Sequence, residues 1–517
     1  MAFSKGFSLF VFCVAGCFSS SALGADFDES LVIERARELA EKPYVVPPEL
    51  PKPLRDLNYD QYRAIQPSEK GTIWKAAGLP FRLEFFHPGY LFQKPVKMNF
   101  VDSYTNEITR FPFDSELFDY SKLVLDENFD PGKIAGYAGF RIQFPIHENP
   151  KNFDEIGSFL GASYFRLLGF EQRYGISARG LALNVTNHEA EEEFPDFVEY
   201  WFVNPEEKSR VLEFYALLDS PSVTGAYHFK IKPGASTEAD VEATLFFRKS
   251  AVENIKSVGL APLTSMFWYG ENSSERNFQD WRPEVHDSDG LLFKTWNNET
   301  VWRPLFNAKS IRFTHFNAPD VQGFGLLQRD RDFHHYEDLS NPYHRTPTAW
   351  ITPKKKWGEG AVRLIELPTE NEAIDNIVSF FEPQKIPLYG EKPLTYGYTL
   401  SMKMLDEEVL SPNRVASTRV GMDVGFPDTR RFVIDFEGEE LEALAADSEI
   451  LAEITSSENG FVDENQCFKN VVTEGWRVEF KLDTKDENTT PVELRCVLKN
   501  PKTGKILSET WSYQWTP

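Results

Sequence analysis

Cysteine is scarce in this sequence: four residues in 517, and two of them, Cys13 and Cys17, fall in an N-terminal stretch with the character of a removable leader. A dense disulfide framework is thereby excluded, so the fold must rest on a hydrophobic core. For Cys467 and Cys496 a disulfide and two free buried thiols both stay open, because connectivity cannot be read from sequence. Beyond the leader no run approaches the ~20 apolar residues needed to cross a bilayer, which predicts no transmembrane segment. No glycine-rich phosphate loop follows a strand, and HExxH, CxxC and GxSxG are all missing. These absences argue against a nucleotide-binding sheet, against the commonest zinc sites and against a Ser-His-Asp hydrolase, and no cofactor is expected. Basic residues are outnumbered, 55 against 79 acidic, for a formal charge of -24. Such a surface repels phosphate backbones, so nucleic acid is a poor partner.

What is present begins with the leader, MAFSKGFSLFVFCVAGCFSSSALGADF. One positive charge at Lys5, an apolar run from Phe7 to Phe18, and small residues at Ala22 and Gly24 predict a secretory signal peptide over residues 1–24. It lacks a twin arginine, which points to export in the unfolded state and to the periplasm. Val14-Ala15-Gly16-Cys17 also fits a lipoprotein processing site, with Cys17 as the lipidated residue.

Aromatic residues make up 14% of the chain, with 44 Phe, 19 Tyr and 11 Trp. Most of these suit a large β core, and exposed Trp and Tyr can also stack on sugar rings. The stretch Asp28–Glu41 places Val32, Ala36, Leu39 and Ala40 on one face, which predicts a short amphipathic helix ended by the prolines from Pro43 onward. Thereafter short alternating runs such as FRLEFF (81–86), VLEFYALL (211–218) and WRVEFKLD (476–483) predict strands. An all-β protein follows. A proline- and glycine-rich break at 380–393 suggests a large domain over 25–385, a linker at 386–393 and a second domain over 394–517, whose length and turn spacing suit an immunoglobulin-like sandwich.

Five of the nine histidines fall between residues 280 and 350, together with Trp281, Trp296, Trp302 and Trp350 and many Arg and Asp. Within this region RPEVHDSDGLLF (282–293) opens like a calcium loop. Leu291 and the apolar residues after it occupy the places where further ligands belong, so no metal is expected there. With neither metal nor nucleophile indicated, the remaining chemistry is a pair of carboxylates, one donating a proton and the other activating water. Acidic residues are too plentiful for composition to choose the pair.

Longer strings are more specific. GASYFRLLG (161–169), YGISARGLAL (174–183), APLTSMFWYG (261–270), RPEVHDSDGL (282–291), QGFGLLQRDRDFHHYEDL (322–339), AWITPKKKWGEG (349–360) and LSETWSYQW (507–515) resemble the periplasmic glucan biosynthesis proteins, over essentially the whole chain after the leader. The missing twin arginine makes the resemblance one to the G type rather than the D type. It implies a galactose-mutarotase-like β-sandwich followed by an immunoglobulin-like domain, and a role in binding and processing a glucan with a β-1,2-linked backbone by inverting endo-hydrolysis. It also implies Asp287 and Asp375 as the catalytic carboxylates. Around them, Trp281, Tyr336 and Trp350 are candidates to stack on glucose rings, and Tyr164, Arg179, Arg282 and His286 to bond hydroxyls, with core packing the competing role for each aromatic residue. Asp289 is expected to be a turn residue. The competing function is that of a non-catalytic carrier or scaffold that holds glucan for an inner-membrane glucan synthase.

Overall fold

The computed structural model describes residues 26–516 apart from 124–133, 148, 150, 188, 274–278, 387–388, 405–409, 424–425 and 485–489. The leader, with its cleavage site and Cys17, lies outside the described residues. The first element is the expected helix, α1 (Glu29–Ala40), capped by the Asp28 carboxylate on the Ser30 N–H. Val32, Ala36 and Ala40 are buried against the strands Leu212–Asp219 and Val223–Lys232. The rest is almost entirely β.

Two large sheets carry the fold. One has 11 strands, with Tyr164–Leu167, Ser177–Arg179, Val258–Ser265 and Ile377–Pro383 as consecutive neighbours near its middle. The other has 14 strands. Rings from the two sheets fill the space between them. Phe140, Phe159 and Phe165 stack along the first sheet at 4.8 and 5.0 Å between centroids. Phe202, Phe214 and Phe229 from the second meet them edge-on at 4.8 to 5.6 Å. Edge-to-face contact suits the ring quadrupole, and each ring removes a large apolar area from water, which is where most of the phenylalanine goes.

A second core, built on Phe432, Phe480, Trp476 and Trp511, lies between a four-stranded sheet (Arg414–Asp423, Phe426–Glu437, Trp476–Thr484, Gly460–Lys469) and the last strands of the large sheet. The large sheet passes from one core to the other through a parallel pairing of Val301 and Trp302 with Thr510 and Trp511. Arg329 fastens the same seam: it lies 3.6 Å over the Trp302 ring and bonds both Glu509 oxygens at 2.6 and 3.0 Å.

The strand Leu394–Lys403, expected to open the C-terminal domain, instead runs between Thr237–Phe247 and Thr348–Pro353 in the large sheet. Tyr396, Tyr398, Leu400 and Met402 point into the first core. The prolines before residue 394 therefore mark a crossing from one sheet to the other over a single core. Cys467 and Cys496 are free thiols, and burial pushes the Cys467 thiol up to about 12 and that of Cys496 higher still.

Candidate functional site

The segment Val285–Gly290 is held on both sides by backbone bonds. Val285–His286 pairs with Phe267–Tyr269, the Asp287 N–H donates to the Met266 carbonyl at 2.8 Å, and the Asp289 N–H donates to the Leu327 carbonyl at 2.8 Å. Gly290 must be glycine, since a Cβ there would lie 2.0 Å from the Trp302 ring. The segment is thus a rigid mount.

Asp287 is buried, with its side chain 10% exposed. Burial pushes its carboxyl up to about 6; Arg173, 3.6 Å away, pulls against this, and the charge of Asp375 adds to it. Thr346 Oγ1 lies 3.4 Å from Asp287 Oδ1. Gly175 packs so closely that a Cβ would stand 2.5 Å from that oxygen and 2.4 Å from a Thr346 methyl.

Asp375 approaches from a loop between the strands Gly360–Glu366 and Ile377–Pro383. The next residue, Asn376, explains why the loop returns here. Its buried amide accepts from the Phe267 N–H at 2.8 Å and donates to the carbonyls of Phe267 at 3.0 Å and Leu367 at 2.9 Å. Phe267 is the residue paired with His286. One asparagine therefore ties the Asp375 loop to the strand that pairs with the Asp287 segment.

On the other side of the loop, Glu372 accepts from Tyr343 at 2.7 Å and from Arg282 at 2.5 Å. The Asp375 side chain is 36% exposed, with Arg166 3.9 Å away. Partial burial raises its carboxyl above the usual range, against the pull of Arg166 and Arg179. Arg166 acts on both aspartates, so the two share one electrostatic environment.

The remaining expected residues divide sharply. Tyr164 and Arg179 are cross-strand partners near Asp375, with the guanidinium 4.6 Å over the phenol ring and also 3.0 Å from Glu192. Trp281 is 71% exposed and offers a ring face. Tyr336 and Trp350 do not: both are buried in hydrophobic clusters, Trp350 under the close-packed glycines Gly323 and Gly325. Their apolar rings are worth more in the core than at a surface, and core packing accounts for them.

Arg282 is buried and taken up by Asp280, Asp338 and Glu372, leaving it to organise loops rather than reach a ligand. His286 is 1% exposed, stacked on Phe267 and bonded to Gln328 and Glu284 at 2.9 and 3.0 Å. Burial opposes its charge, but the bond and charge of Glu284 outweigh it and hold the imidazole up to about 9. It is a buried cation behind the site. Asp289 anchors a turn, its Oδ2 accepting the N–H groups of Arg329 and Asp330 at 2.9 and 2.8 Å.

Sequence reasoning missed Arg166, Arg173, Gly175, Tyr343, Thr346 and Glu372. All but Glu372 lie inside or near the distinctive strings, but nothing local marks them, because their roles depend on contacts across the fold. Among the described residues, Glu284, Asp330 and His335 place potential ligand atoms within 4.8 Å of one another, as do Glu29, His228 and Glu242. In the first group the atoms are already engaged, His335 Nδ1 with Asp330 at 2.5 Å and Glu284 with His286 outside the group at 3.0 Å.

Residues 27–515 match the family described as "Periplasmic glucan biosynthesis protein, MdoG". The chain belongs to this family. Among curated proteins, "Glucans biosynthesis protein G" of Ralstonia nicotianae is 42% identical over 495 residues, covering 94% of this chain and 95% of that protein. Membership bears out the resemblance to the G type and implies a periplasmic protein of glucan biosynthesis. Among the described residues no helix is long and apolar enough to cross a membrane.

Proposed function

We propose that the cleft containing Asp287 and Asp375 binds a β-1,2-linked glucan backbone and cleaves it internally with inversion. The observation that carries this reading is the unequal placement of two carboxyl groups under one arginine. An acid must touch the glycosidic oxygen, so it belongs where a sugar can reach it, and Asp375 has a third of its side chain exposed. A sugar seated over it removes water and raises its carboxyl further, keeping the proton to be donated.

Asp287 is too recessed to touch that oxygen and works through water, as the base of an inverting pair does. Its value near 6 makes it a stronger base than an ordinary carboxylate while leaving it ionised at neutral pH. Arg173 keeps it ionised and Thr346 and Gly175 fix its direction. Tyr164, Arg179 and Trp281 supply sugar contacts. The signal peptide delivers the chain to the periplasm, where it acts on glucan emerging from an inner-membrane synthase.

Incubation of the mature protein with linear β-1,2-glucan, followed by product sizing, tests the reading. The chains should shorten, and Asp287→Asn and Asp375→Asn should each stop this in a folded protein. Glucan bound but never shortened at high protein concentration would leave the carrier role in place of the enzyme.

A further inference from the structure

A spacious groove lies away from the two aspartates. It has a volume of about 920 Å³, with walls that include Trp268, Arg312 and Glu370 on one side and, on the other, Gln514 and Trp515 of the last strand with Thr516 just after it. That volume is at the upper end of the roughly 300–1,000 Å³ typical of small-molecule sites, enough for several linked rings.

We propose that this groove is a second carbohydrate site, one that holds a neutral saccharide chain away from the two aspartates. The lining carries the argument. Trp268 and Trp515 are each only part-buried and line the groove from opposite sides of the seam, with the Arg430 guanidinium 5.8 Å over the Trp515 ring. Stacking on the C–H face of a sugar needs this combination of flat apolar surface and polar surroundings.

The polar groups of the wall point the same way. Gln514 Oε1, Thr516 Oγ1 and Arg312 Nε have no hydrogen-bond partner in the protein, although Gln514 as a residue is only 5% exposed. Buried polar atoms of this kind cost free energy until something pairs with them. The carboxamide oxygen can only accept and the guanidinium nitrogen can only donate. A sugar hydroxyl does both. The wall also carries Lys309 and Arg430 as donors and Glu370 as an acceptor, a mixed set that hydroxyl groups can meet in either sense.

The groove and the cleft share a loop. Pro368, Thr369 and Glu370 line the groove, and the same loop carries Glu372, bonded to Arg282, and Asp375, paired with Arg166. A chain held in the groove therefore rests against the segment that carries the acid, close enough to feed or retain a glucan for the cleft. The inference rests on the proposed function only for the choice of probe.

Titration calorimetry of the full mature protein with short linear β-1,2-linked glucose oligosaccharides tests it. Two classes of site are expected. Trp268→Ala combined with the near-isosteric Gln514→Met should weaken one class about tenfold or more, as the loss of one stacking contact implies. Hydrolysis should survive that change. Tyr164→Ala combined with Arg166→Ala should remove the other class and leave the groove binding. Circular dichroism and unchanged melting would confirm that each variant is folded, and Thr516→Val provides a milder groove variant. A single class of site lost only with the cleft pair overturns the groove and leaves the cleft reading standing. A single class lost only with the groove pair supports the groove and removes the cleft reading. No binding at either place overturns both.

Discussion

Replacing Asp287 with Asn should make the protein more stable at pH 8 while abolishing glucan cleavage. In the folded chain this carboxyl is raised from 3.8 to about 6, mainly because burial penalises its charge. A group raised in the folded state binds its proton more tightly there than in the unfolded chain, so its contribution to stability is present below about pH 4 and is lost as pH rises through about 6. At pH 8 the ionised carboxylate is a net cost. A shift of about 2 units at 1.36 kcal/mol each sets the scale at roughly 3 kcal/mol. The pull of Arg173, 3.6 Å away, is already contained in that shift, so losing this partner adds no separate term.

Asparagine is neutral at every pH and nearly the same size, so it relieves most of the cost and should gain roughly 1–3 kcal/mol at pH 8. Urea unfolding of the mature protein and of Asp287→Asn at pH 8 and at pH 4 measures this. The variant should be the more stable at pH 8, and the difference should vanish at pH 4. A variant less stable than the parent at pH 8, or a gain equal at both values, would show that burial does not strain this carboxylate.

Three further outcomes follow from the geometry. Gly175→Ala puts a methyl 2.5 Å from Asp287 Oδ1 and should cost roughly 1–3 kcal/mol in a melting assay and most of the cleavage rate, since the carboxylate must turn away. Arg166→Met removes the positive charge that holds both carboxyls down, so the acidic limb of the pH–rate profile should move to higher pH; an unmoved limb would refute the coupling. Asn376→Leu breaks three buried amide bonds and should cost roughly 3 kcal/mol or more in urea unfolding, together with a loss of cleavage greater than the loss of glucan binding.

The elements whose residues face in and out with a fixed period could be read directly. The helix after the leader and the strands of both cores follow from such alternation, as does the fate of most phenylalanines. The boundary near residue 390 could not, because prolines that cross between two sheets of one core have the same composition as prolines that link two domains. Only the pairing of Leu394–Lys403 with Thr237–Phe247 separates the cases, and that partner lies more than 150 residues earlier.

The site was legible at the level of the segment and not of the side chain. VHDSDG stood out by its local pattern, yet nothing in it marks His286 as a buried cation facing Glu284 and Gln328 or Tyr336 as its ring neighbour. The aromatic residues near the histidines were plausible sugar platforms by type, but type does not report burial, and of Trp281, Tyr336 and Trp350 it is Trp281 that kept its ring in solvent.

The four polar residues from His286 to Asp289 do four different jobs because the segment is gripped at both ends. His286 is held as a cation by Glu284 and Gln328, Asp287 faces Arg173 and the cleft, Ser288 donates to Ser265 at 2.7 Å, and Asp289 clamps the turn at Arg329. The positive charge of His286 also works on its neighbour, favouring ionised Asp287 from behind while Arg173 does so from the cleft side. Together with Arg166, those two charges offset the burial that pushes this carboxyl up. In the proposed reaction the imidazolium and the turn clamp therefore act without reaching the cleft: one adds to the pull on the charge of Asp287 and the other fixes its place.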